Sequence, residues 1–260
     1  MPAMVINTSW FFGRLLQKMH VDVVCDVGSM DGADALRFRD ARPSAQIYAF
    51  EVNPENLRVM KDNPLLSERA IEVVGLAASD VDGEADFFVL PADYSYSRRN
   101  DVRGMSSLYR RPSHPGVATR VATTRLDTFL RERCSPRTRI GLWIDVEGKA
   151  FEVIQGALGI FKQLRVLHIE VETTAAIAAD QKLYEQVKVQ LRRLGFSEVA
   201  TDKSTDHPQF NAVFVRNSWN PVFLLWLVTY LPRERLQSAL ATTLKRLRLA
   251  SAQRDRNRTN

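Results

Sequence analysis

The chain has 260 residues, 45% of them hydrophobic, and this size suits one large α/β domain with small additions. The eight Lys/Arg and two Asp/Glu from Arg233 onward account for the whole net charge of +6, so the body is neutral and nucleic-acid binding is not expected. No apolar run approaches the roughly 20 residues that span a bilayer. The absence of a signal-like start and the use of two cysteines, Cys25 and Cys134, fit a cytoplasmic protein.

The N-terminal segment, residues 1–20, is predicted to form one helix. Between Asn7 and His20 the apolar residues recur at roughly helical spacing, and Asn7, Thr8 or Ser9 can cap the helix. Apolar helical faces mostly pack, so we expect this helix at the edge of the fold. A role in closing over a bound ligand is the alternative.

The stretch Val23–Gly32 organises the rest of the chain. Val23–Val27 is an apolar run long enough for a strand that is buried on both faces. Gly28 follows at once and permits a sharp turn and the close approach of a ligand. Gly32 comes next, and Ala33–Phe38 has a helical pattern. Strand, glycine turn and helix form the first unit of a doubly wound fold, whose ligand lies at the carboxyl end of the strand.

Two acidic residues near this turn indicate the kind of ligand. The glycines do not follow the dinucleotide pattern G-x-G-x-x-G, and Asp26 suits a cationic or amino-acid-like ligand better than a pyrophosphate. A second strand, Gln46–Glu51, ends in a carboxylate that can accept hydrogen bonds from a ribose diol. In this order and spacing, the two signals indicate an adenosine-containing cofactor.

The middle of the chain contains a long segment without a clear period, Ala92–Gly116. It follows a predicted helix, Pro54–Asp62, and predicted strands at Ile71–Leu76 and Ala85–Leu90. A loop this long within a compact domain is usually functional or disordered. We interpret it as a substrate-covering loop whose arginines meet an anionic substrate; a merely solvated basic loop is an equal alternative.

The second half of the chain completes the predicted sheet with two core strands and a closing hairpin. The predicted elements are strand Val117–Arg125, a helix beginning at Leu126, strand Ile140–Val146, helix Ala150–Leu158, strand Val166–Glu172, helix Asp180–Leu194 and the paired strands Phe196–Thr201 and Asn211–Arg216. Gly195 is a suitable C-cap for the last of these helices.

Several sequence blocks together resemble one protein family. The chain resembles an FkbM-type S-adenosylmethionine-dependent methyltransferase over roughly Val21–Val215. It departs from the family's usual pattern at Met30, where Asn is common, and at Trp143, where Lys is common. The matching blocks are Asp26–Gly32, Ala49–Pro54, Leu126–Asp127 and Ile144–Gly148.

The resemblance implies a fold, a cofactor and an activity. The implied fold is the class I methyltransferase fold, a doubly wound, mostly parallel α/β sheet with a closing antiparallel hairpin and helices on both faces. We expect the S-adenosylmethionine-binding domain to cover residues 21–216. The implied activity is O-methylation of a hydroxyl on a sugar, a glycan or a secondary metabolite, with S-adenosylmethionine as the cofactor.

The resemblance and the chemistry together give the candidate site. Methyl transfer needs an aligned donor and acceptor, and an alcohol acceptor must also lose its proton. Asp145 and Glu147 end the fourth core strand and are the first candidates for base or orienting roles, and His114 is a further candidate base; for Glu147 the alternative is a helix N-terminal acid. The cofactor-binding candidates are Asp26, Gly28, Ser29, Met30, Gly32, Glu51, Val52, Asn53, Ala78, Ser79 and Asp145, and the substrate candidates are Ser106, Ser107, Arg110 and Glu170.

Three polar residues alternate along the fifth core strand. His168, Glu170 and Glu172 would share one face of that strand. Burying a lone carboxylate is costly, so we expect Glu170 to be paired or to face a ligand. We predict no metal, because no short-spaced ligand motif is present; a site built from Asp145, His168 and Glu170 is the alternative.

The C-terminal extension, residues 217–260, is apolar first and then basic. Val222–Leu231 is nearly all apolar, and Leu236–Leu247 reads as a basic amphipathic helix. The extension either folds back on the body, contacts an anionic membrane surface at its cytoplasmic face, or forms a homo-oligomer. A membrane contact would suit a lipid-linked or cell-envelope glycan as the acceptor.

Two other classes of function compete with methyl transfer. An NAD-type oxidoreductase would use the same strand–turn–helix unit, but the missing G-x-G-x-x-G and the closing hairpin argue against it. A non-catalytic module would bind a partner through the C-terminal helix. The partner that we expect is a small-molecule or glycan acceptor.

Overall fold

The computed structural model describes five parts of the chain, residues 4–5, 7–90, 103–112, 116–203 and 207–217. The predictions for His114 and for the C-terminal extension beyond Asn217 lie outside these residues. Within the five parts, no helix is both long enough and apolar enough to cross a membrane.

Eleven strands and seven helices are formed by the described residues. The strands are β1 Met4–Val5, β2 Val23–Val27, β3 Gln46–Phe50, β4 Ile71–Val74, β5 Ala77–Ala78, β6 Gly83–Val89, β7 Val117–Thr124, β8 Ile140–Ile144, β9 Leu164–Glu172, β10 Phe196–Thr201 and β11 Gln209–Arg216. The helices are α1 Thr8–Lys18, α2 Ala33–Ala41, α3 Pro54–Asp62, α4 Pro64–Glu68, α5 Leu126–Arg131, α6 Ala150–Gly156 and α7 Tyr184–Arg193.

The central sheet has eight strands in the order β1-β10-β11-β9-β8-β2-β3-β4. All pairs are parallel except those of β11, which runs antiparallel to both β9 and β10. The strand order reverses between β2 and β8, which is the switch point of a doubly wound sheet. This topology confirms the predicted class I methyltransferase fold with its closing antiparallel hairpin. A second, three-stranded sheet has the order β5-β7-β6.

The central sheet is buried on both faces, because helices cover each side. Alternate residues of β2 face opposite ways: Val24 packs toward α1 and α2, whereas Cys25 packs toward α5, α6 and α7. Cys25 is fully buried, as expected of a small apolar residue in a core strand. The predicted N-terminal helix packs on the first of these faces through Phe12 and Leu16.

Most element boundaries agree with the pattern, and the differences have local causes. The last helix was predicted from Asp180 but begins at Tyr184, because the backbone N–H of Leu183 donates to the Gln186 side chain (2.9 Å) and fixes the start there. The fourth core strand ends at Ile144 rather than Val146, since Glu147 adopts a left-handed φ of 43°. The carboxylates after it therefore lie in a turn.

Candidate active site

A pocket opens at the carboxyl ends of β2, β3 and β8, where the strand order reverses. It contains about 570 Å³ of empty space when the open solvent at its mouth is included. Its apolar wall comes from Leu76, Ala77 and Phe87. Eight of the candidate residues line it: Gly28, Met30, Glu51, Val52, Ala78, Ser106, Ser107 and Asp145.

Gly28 marks a close approach between two strand ends. Its φ is 85°, and an added Cβ would lie 1.8 Å from the carbonyl oxygen of Asp145. The N–H of Asp145 donates to the carbonyl of Val27 (2.9 Å), which holds the two strand ends together. Only a residue without a Cβ fits this backbone, so the glycine is needed for the turn itself as well as for a ligand.

Gly28→Ala is expected to lower the free energy of unfolding by about 2–5 kcal/mol and to weaken cofactor binding, because the new Cβ strains the backbone and displaces β8. Gly13→Ala is the matched control. There the Cβ would meet Ala41 at an ordinary 3.4 Å within a helix, so it should be neutral or slightly stabilising. Urea unfolding of the two variants checks this, and an unimpaired Gly28→Ala chain contradicts the packing.

The Glu51 carboxylate ties together the loops around the pocket. Its Oε1 accepts hydrogen bonds from the backbone N–H groups of Val52 (2.7 Å) and Asn53 (2.8 Å). Its Oε2 accepts from the N–H of Met30 (2.8 Å) and from Nδ2 of Asn56 (3.1 Å). Burial raises the pKa of Glu51, and these four bonds oppose that rise. Because the chain itself fills four acceptor positions, a ribose diol must share or replace one of these donors.

Asp26 lies beneath the glycine turn and is fully buried. Its Oδ2 accepts a short bond from the Ser29 hydroxyl (2.6 Å), whereas no donor within the described residues reaches Oδ1. Burial, with a smaller effect of the neighbouring Asp145 and Glu51 carboxylates, raises the pKa of Asp26 to about 7. The folded chain therefore holds a proton here that an unfolded chain releases near pH 4.

This proton makes stability depend on pH. Asp26 contributes stability that is fully present below its unfolded pKa and is lost as pH rises toward about 7. We expect the wild-type unfolding free energy to fall by about 2–4 kcal/mol more than that of Asp26→Asn between pH 5 and pH 8. Urea unfolding at the two pH values checks it.

Asp22→Asn is the control for this pH effect. A side-chain bond from Arg139 lowers the pKa of Asp22, so its contribution is lost only as pH falls below the ordinary range. The unfolding free energy of Asp22→Asn should therefore change between pH 5 and pH 8 by the same amount as that of the wild type. Equal pH dependence in the wild type and in Asp26→Asn contradicts the proton assigned to Asp26.

Five residues of the segment 103–112 line the pocket. The Ser106 hydroxyl accepts a bond from Nδ2 of Asn53 (3.3 Å), and the Ser107 hydroxyl donates to the carbonyl of Glu147 (2.7 Å). Backbone bonds between Ser107 and Phe88 fasten the segment to β6. The described part of the predicted substrate-covering loop is thus anchored to both walls of the pocket, while its role toward a substrate stays a prediction.

The carboxyl groups of Asp145, in the pocket wall, and Glu170, behind it, form a pair. A hydrogen bond joins their side chains and favours a protonated Glu170 beside an ionised Asp145. Burial, followed by the charge of Glu147, raises the pKa of Asp145 to about 6. Burial and the two neighbouring charges raise the pKa of Glu170 well above its usual range. Asp145 is therefore mostly ionised at neutral pH and able to accept a proton.

Glu147 is held differently from Asp145. Its Oε2 accepts a short bond from the guanidinium of Arg111 (2.6 Å), and both side chains are largely buried. Burial raises the pKa of Glu147 and the Arg111 charge opposes that rise. Because Arg111 engages one oxygen of this carboxylate and because Glu147 does not line the pocket, we keep Asp145 rather than Glu147 as the candidate base.

The remaining candidates lie around the pocket rather than on its wall. Asn53 caps α3 by accepting a bond from the N–H of Glu55 (3.0 Å), and Gly32, at a left-handed φ of 81°, begins α2. Ser29, beneath the turn, and Ser79, bonded to Asp80, are both buried. Arg110 is exposed and does not line the pocket.

Three residues at or near the pocket were not predicted from the sequence, because only the folded chain shows which side chains point inward. They are Arg111, which neighbours Arg110, and Lys149 and Phe87 of the pocket wall.

The alternative prediction of a metal site built from Asp145, His168 and Glu170 is wrong for His168. The His168 ring stacks on Trp143 at 3.4 Å, and its Nε2 forms a hydrogen bond with the Thr8 hydroxyl (3.1 Å). Burial lowers the pKa of His168 well below its usual range, so it is neutral and belongs to the packing of α1. Within the described residues, the group that could hold a metal is instead Glu147, Glu170 and Glu172.

The pocket fits an adenosine-type cofactor that carries a positive charge. Gly28 permits close approach, Glu51 lines the pocket at the strand end where a ribose is predicted, and the apolar wall suits a base. Asp145 places negative charge at the far side of the pocket from Glu51. This charge attracts a positively charged sulfonium group and repels a negatively charged pyrophosphate. The residues present therefore fit S-adenosylmethionine better than a dinucleotide.

Comparisons with known proteins agree with this geometry. The profile of the family described as "Methyltransferase FkbM domain" matches residues 26–198. The chain is also similar to the 2-O-methyltransferase NoeI of Sinorhizobium fredii (strain NBRC 101917 / NGR234), with 32% identity over 172 residues. That alignment covers 63% of this chain and 65% of the relative, so the chain spans just under two thirds of the relative's length.

Two solved structures are distantly similar to the chain. Fibrillarin of Aeropyrum pernix, solved with S-adenosyl-L-methionine, is 14% identical with a TM-score of 0.43, covering 79% of this chain and 74% of its own. The 1,6-didemethyltoxoflavin-N1-methyltransferase of Burkholderia thailandensis is 14% identical with a TM-score of 0.41. The match covers 80% of this chain and 76% of that enzyme's chain. The fold therefore rests on the strand order described above.

Proposed function

Because the chain belongs to the methyltransferase FkbM domain family, we propose that it transfers a methyl group from S-adenosylmethionine to a hydroxyl oxygen of a sugar, a glycan or a secondary metabolite. The observation that carries the proposal is the place of Asp145. Asp145 lines the pocket, and its carboxylate is hydrogen-bonded to the carboxyl group of Glu170, which does not line it. This residue would thus border both a donor bound in the pocket and an acceptor held beside Glu170.

The chemistry that the chain must supply is alignment and removal of one proton. Bound S-adenosylmethionine carries a methyl group on a positively charged sulfur, which makes the methyl carbon the electrophile. Asp145 accepts the hydroxyl proton of the acceptor as the oxygen attacks, and a pKa of about 6 keeps it ready for that task at neutral pH. The Gly28 turn and residues 103–112 position the donor and keep water from the reacting atoms.

A polyhydroxy acceptor suits the polar groups around Asp145. Glu170 accepts a hydrogen bond from Nε2 of Gln209 (2.6 Å), and the same nitrogen lies 3.5 Å from Glu147. Carboxylates and amides at this spacing can bind neighbouring hydroxyls of a sugar ring. The name of the relative, a 2-O-methyltransferase, supports a hydroxyl oxygen as the acceptor atom.

The test is a screen with a methyl-labelled donor. The full chain is incubated with labelled S-adenosylmethionine and with panels of glycans and hydroxylated small molecules, and products are analysed by mass and by stability in base. We expect label in a methyl ether, which survives base. Label that base releases marks a methyl ester, and label on nitrogen marks an amine acceptor; either result contradicts the proposal.

A further inference from the structure

Three glutamates meet beside the pocket without lining it. Glu170 and Glu172 lie on the same face of β9, and Glu147 comes from the turn after the neighbouring strand β8. One carboxylate oxygen from each lies within 4.8 Å of the others. Two adjacent strand ends thus bring three carboxyl groups to one point.

Glu172 is the most buried member of the cluster. The residue is only 4% exposed, and within the described residues no hydrogen-bond donor reaches its Oε1. Such an oxygen loses its hydrogen bonds to water on folding and gains no hydrogen bond from the protein, which is energetically costly. Its carboxylate belongs to the cluster, so a ligand bound there would supply a partner. The neighbouring Gln181 side chain opposes the rise that burial causes in the pKa of Glu172, but its Nε2 is likewise buried without a hydrogen-bond partner.

Within the described residues, one cationic side chain contacts the cluster. Arg111 pairs with Glu147, and Gln209 donates to Glu170, but Gln209 carries no charge. Because Glu170 shares a proton with Asp145, this one guanidinium faces the negative charges of Glu147, Glu172 and Asp145. Like charges at this spacing repel strongly in a buried site, so a further positive charge would stabilise the arrangement.

We propose that Glu147, Glu170 and Glu172 bind one divalent cation of the class that prefers oxygen ligands, such as Mn²⁺, Mg²⁺ or Ca²⁺. Hard cations take carboxylate oxygens at about 2.0–2.6 Å, so two ligands on opposite sides of one ion lie about 4–5 Å apart. The observed limit of 4.8 Å meets that spacing without rebuilding the strands. Three protein ligands leave positions open for water or for an acceptor hydroxyl.

The ion would sit on the acceptor side of Asp145. Binding of the ion does not depend on the proposed function, whereas its role in holding an acceptor hydroxyl rests on it. The two are therefore tested separately, and binding is measured without a methyl donor.

The experiment titrates Mn²⁺ into the full, chelator-treated chain and counts bound ions by electron paramagnetic resonance. We expect one ion per wild-type chain and at least tenfold weaker binding by Glu172→Gln. The control Glu72→Gln changes an exposed strand glutamate and should bind like the wild type. Ca²⁺ and Mg²⁺ should displace Mn²⁺ from the same site.

Thermal unfolding guards against a misfolded variant. In chelator, Glu172→Gln should melt at or above the wild-type temperature because one repulsive charge is gone, while added Mn²⁺ should raise the melting temperature of the wild type alone. Glu170→Gln serves as a second variant with the same expected loss. Wild-type chain that binds no Mn²⁺ at 1 mM, or variants that bind it as well as the wild type, would overturn the site and leave protons as the balancing charge.

Discussion

Asp145→Asn is expected to lower the turnover number by about 10²–10⁴-fold while S-adenosylmethionine affinity changes little, the usual loss when a positioned acid–base group is removed. Asparagine keeps the shape of the side chain but cannot accept the hydroxyl proton. It also keeps the backbone contact with the strand before the Gly28 turn, because the main-chain N–H of residue 145 makes that contact by donating to the Val27 carbonyl. Initial rates with a working acceptor, together with calorimetric titration of S-adenosylhomocysteine, separate the two quantities.

Asp86→Asn is the matched control for this change. Asp86 lies on β6, is exposed and pairs with Arg120 (3.2 Å) away from the pocket, so its loss should leave the rate unchanged. An unaltered turnover number in Asp145→Asn would remove this residue from the chemistry. Parallel losses of rate and cofactor affinity would instead make it a binding residue.

Glu51→Ala is expected to weaken S-adenosylmethionine binding by about 1–3 kcal/mol and also to destabilise the chain. The substitution leaves four donors without their acceptor, among them the N–H of Met30 in the glycine turn and Nδ2 of Asn56. A buried donor that loses its acceptor lowers the free energy of unfolding by about 1–3 kcal/mol. We therefore expect the glycine turn and the start of α3 to become less stable. Calorimetry with S-adenosylhomocysteine and urea unfolding measure the two effects.

Glu55→Ala controls for the loss of a nearby glutamate. Glu55 is exposed in the first turn of α3 and pairs with Arg58, so we expect cofactor binding and stability close to those of the wild type. Cofactor affinity in Glu51→Ala equal to that of the parent would contradict the ribose assignment, even if stability falls.

The parts of the site that local sequence controls could be predicted. Gly28 and Glu51 follow buried strands at a fixed spacing, and strand order then brings them to one pocket without knowledge of the side-chain packing. The turn holding Asp145 was identified for the same reason. These are features of backbone topology, which hydrophobic runs and glycines specify.

The parts that depend on long-range packing could not be predicted. Arg110 and Arg111 are equivalent in sequence, and only the docking of residues 103–112 turns the second toward Glu147. Gln209 reaches Glu170 because β11 runs antiparallel to β9, a register that no local pattern gives. His168 shares a strand face with the glutamates, yet contact with α1 gives it a partner 160 positions away.

Calorimetric titration of the full chain with S-adenosylhomocysteine and, in parallel, with NAD⁺ tests the central claim most directly. We expect one S-adenosylhomocysteine to bind per chain, no heat from NAD⁺, and clearly weaker binding in Gly28→Ala and Glu51→Ala. Binding of NAD⁺ in place of S-adenosylhomocysteine, or of neither ligand by a folded chain, would contradict a methyl-transfer site at the carboxyl ends of β2, β3 and β8.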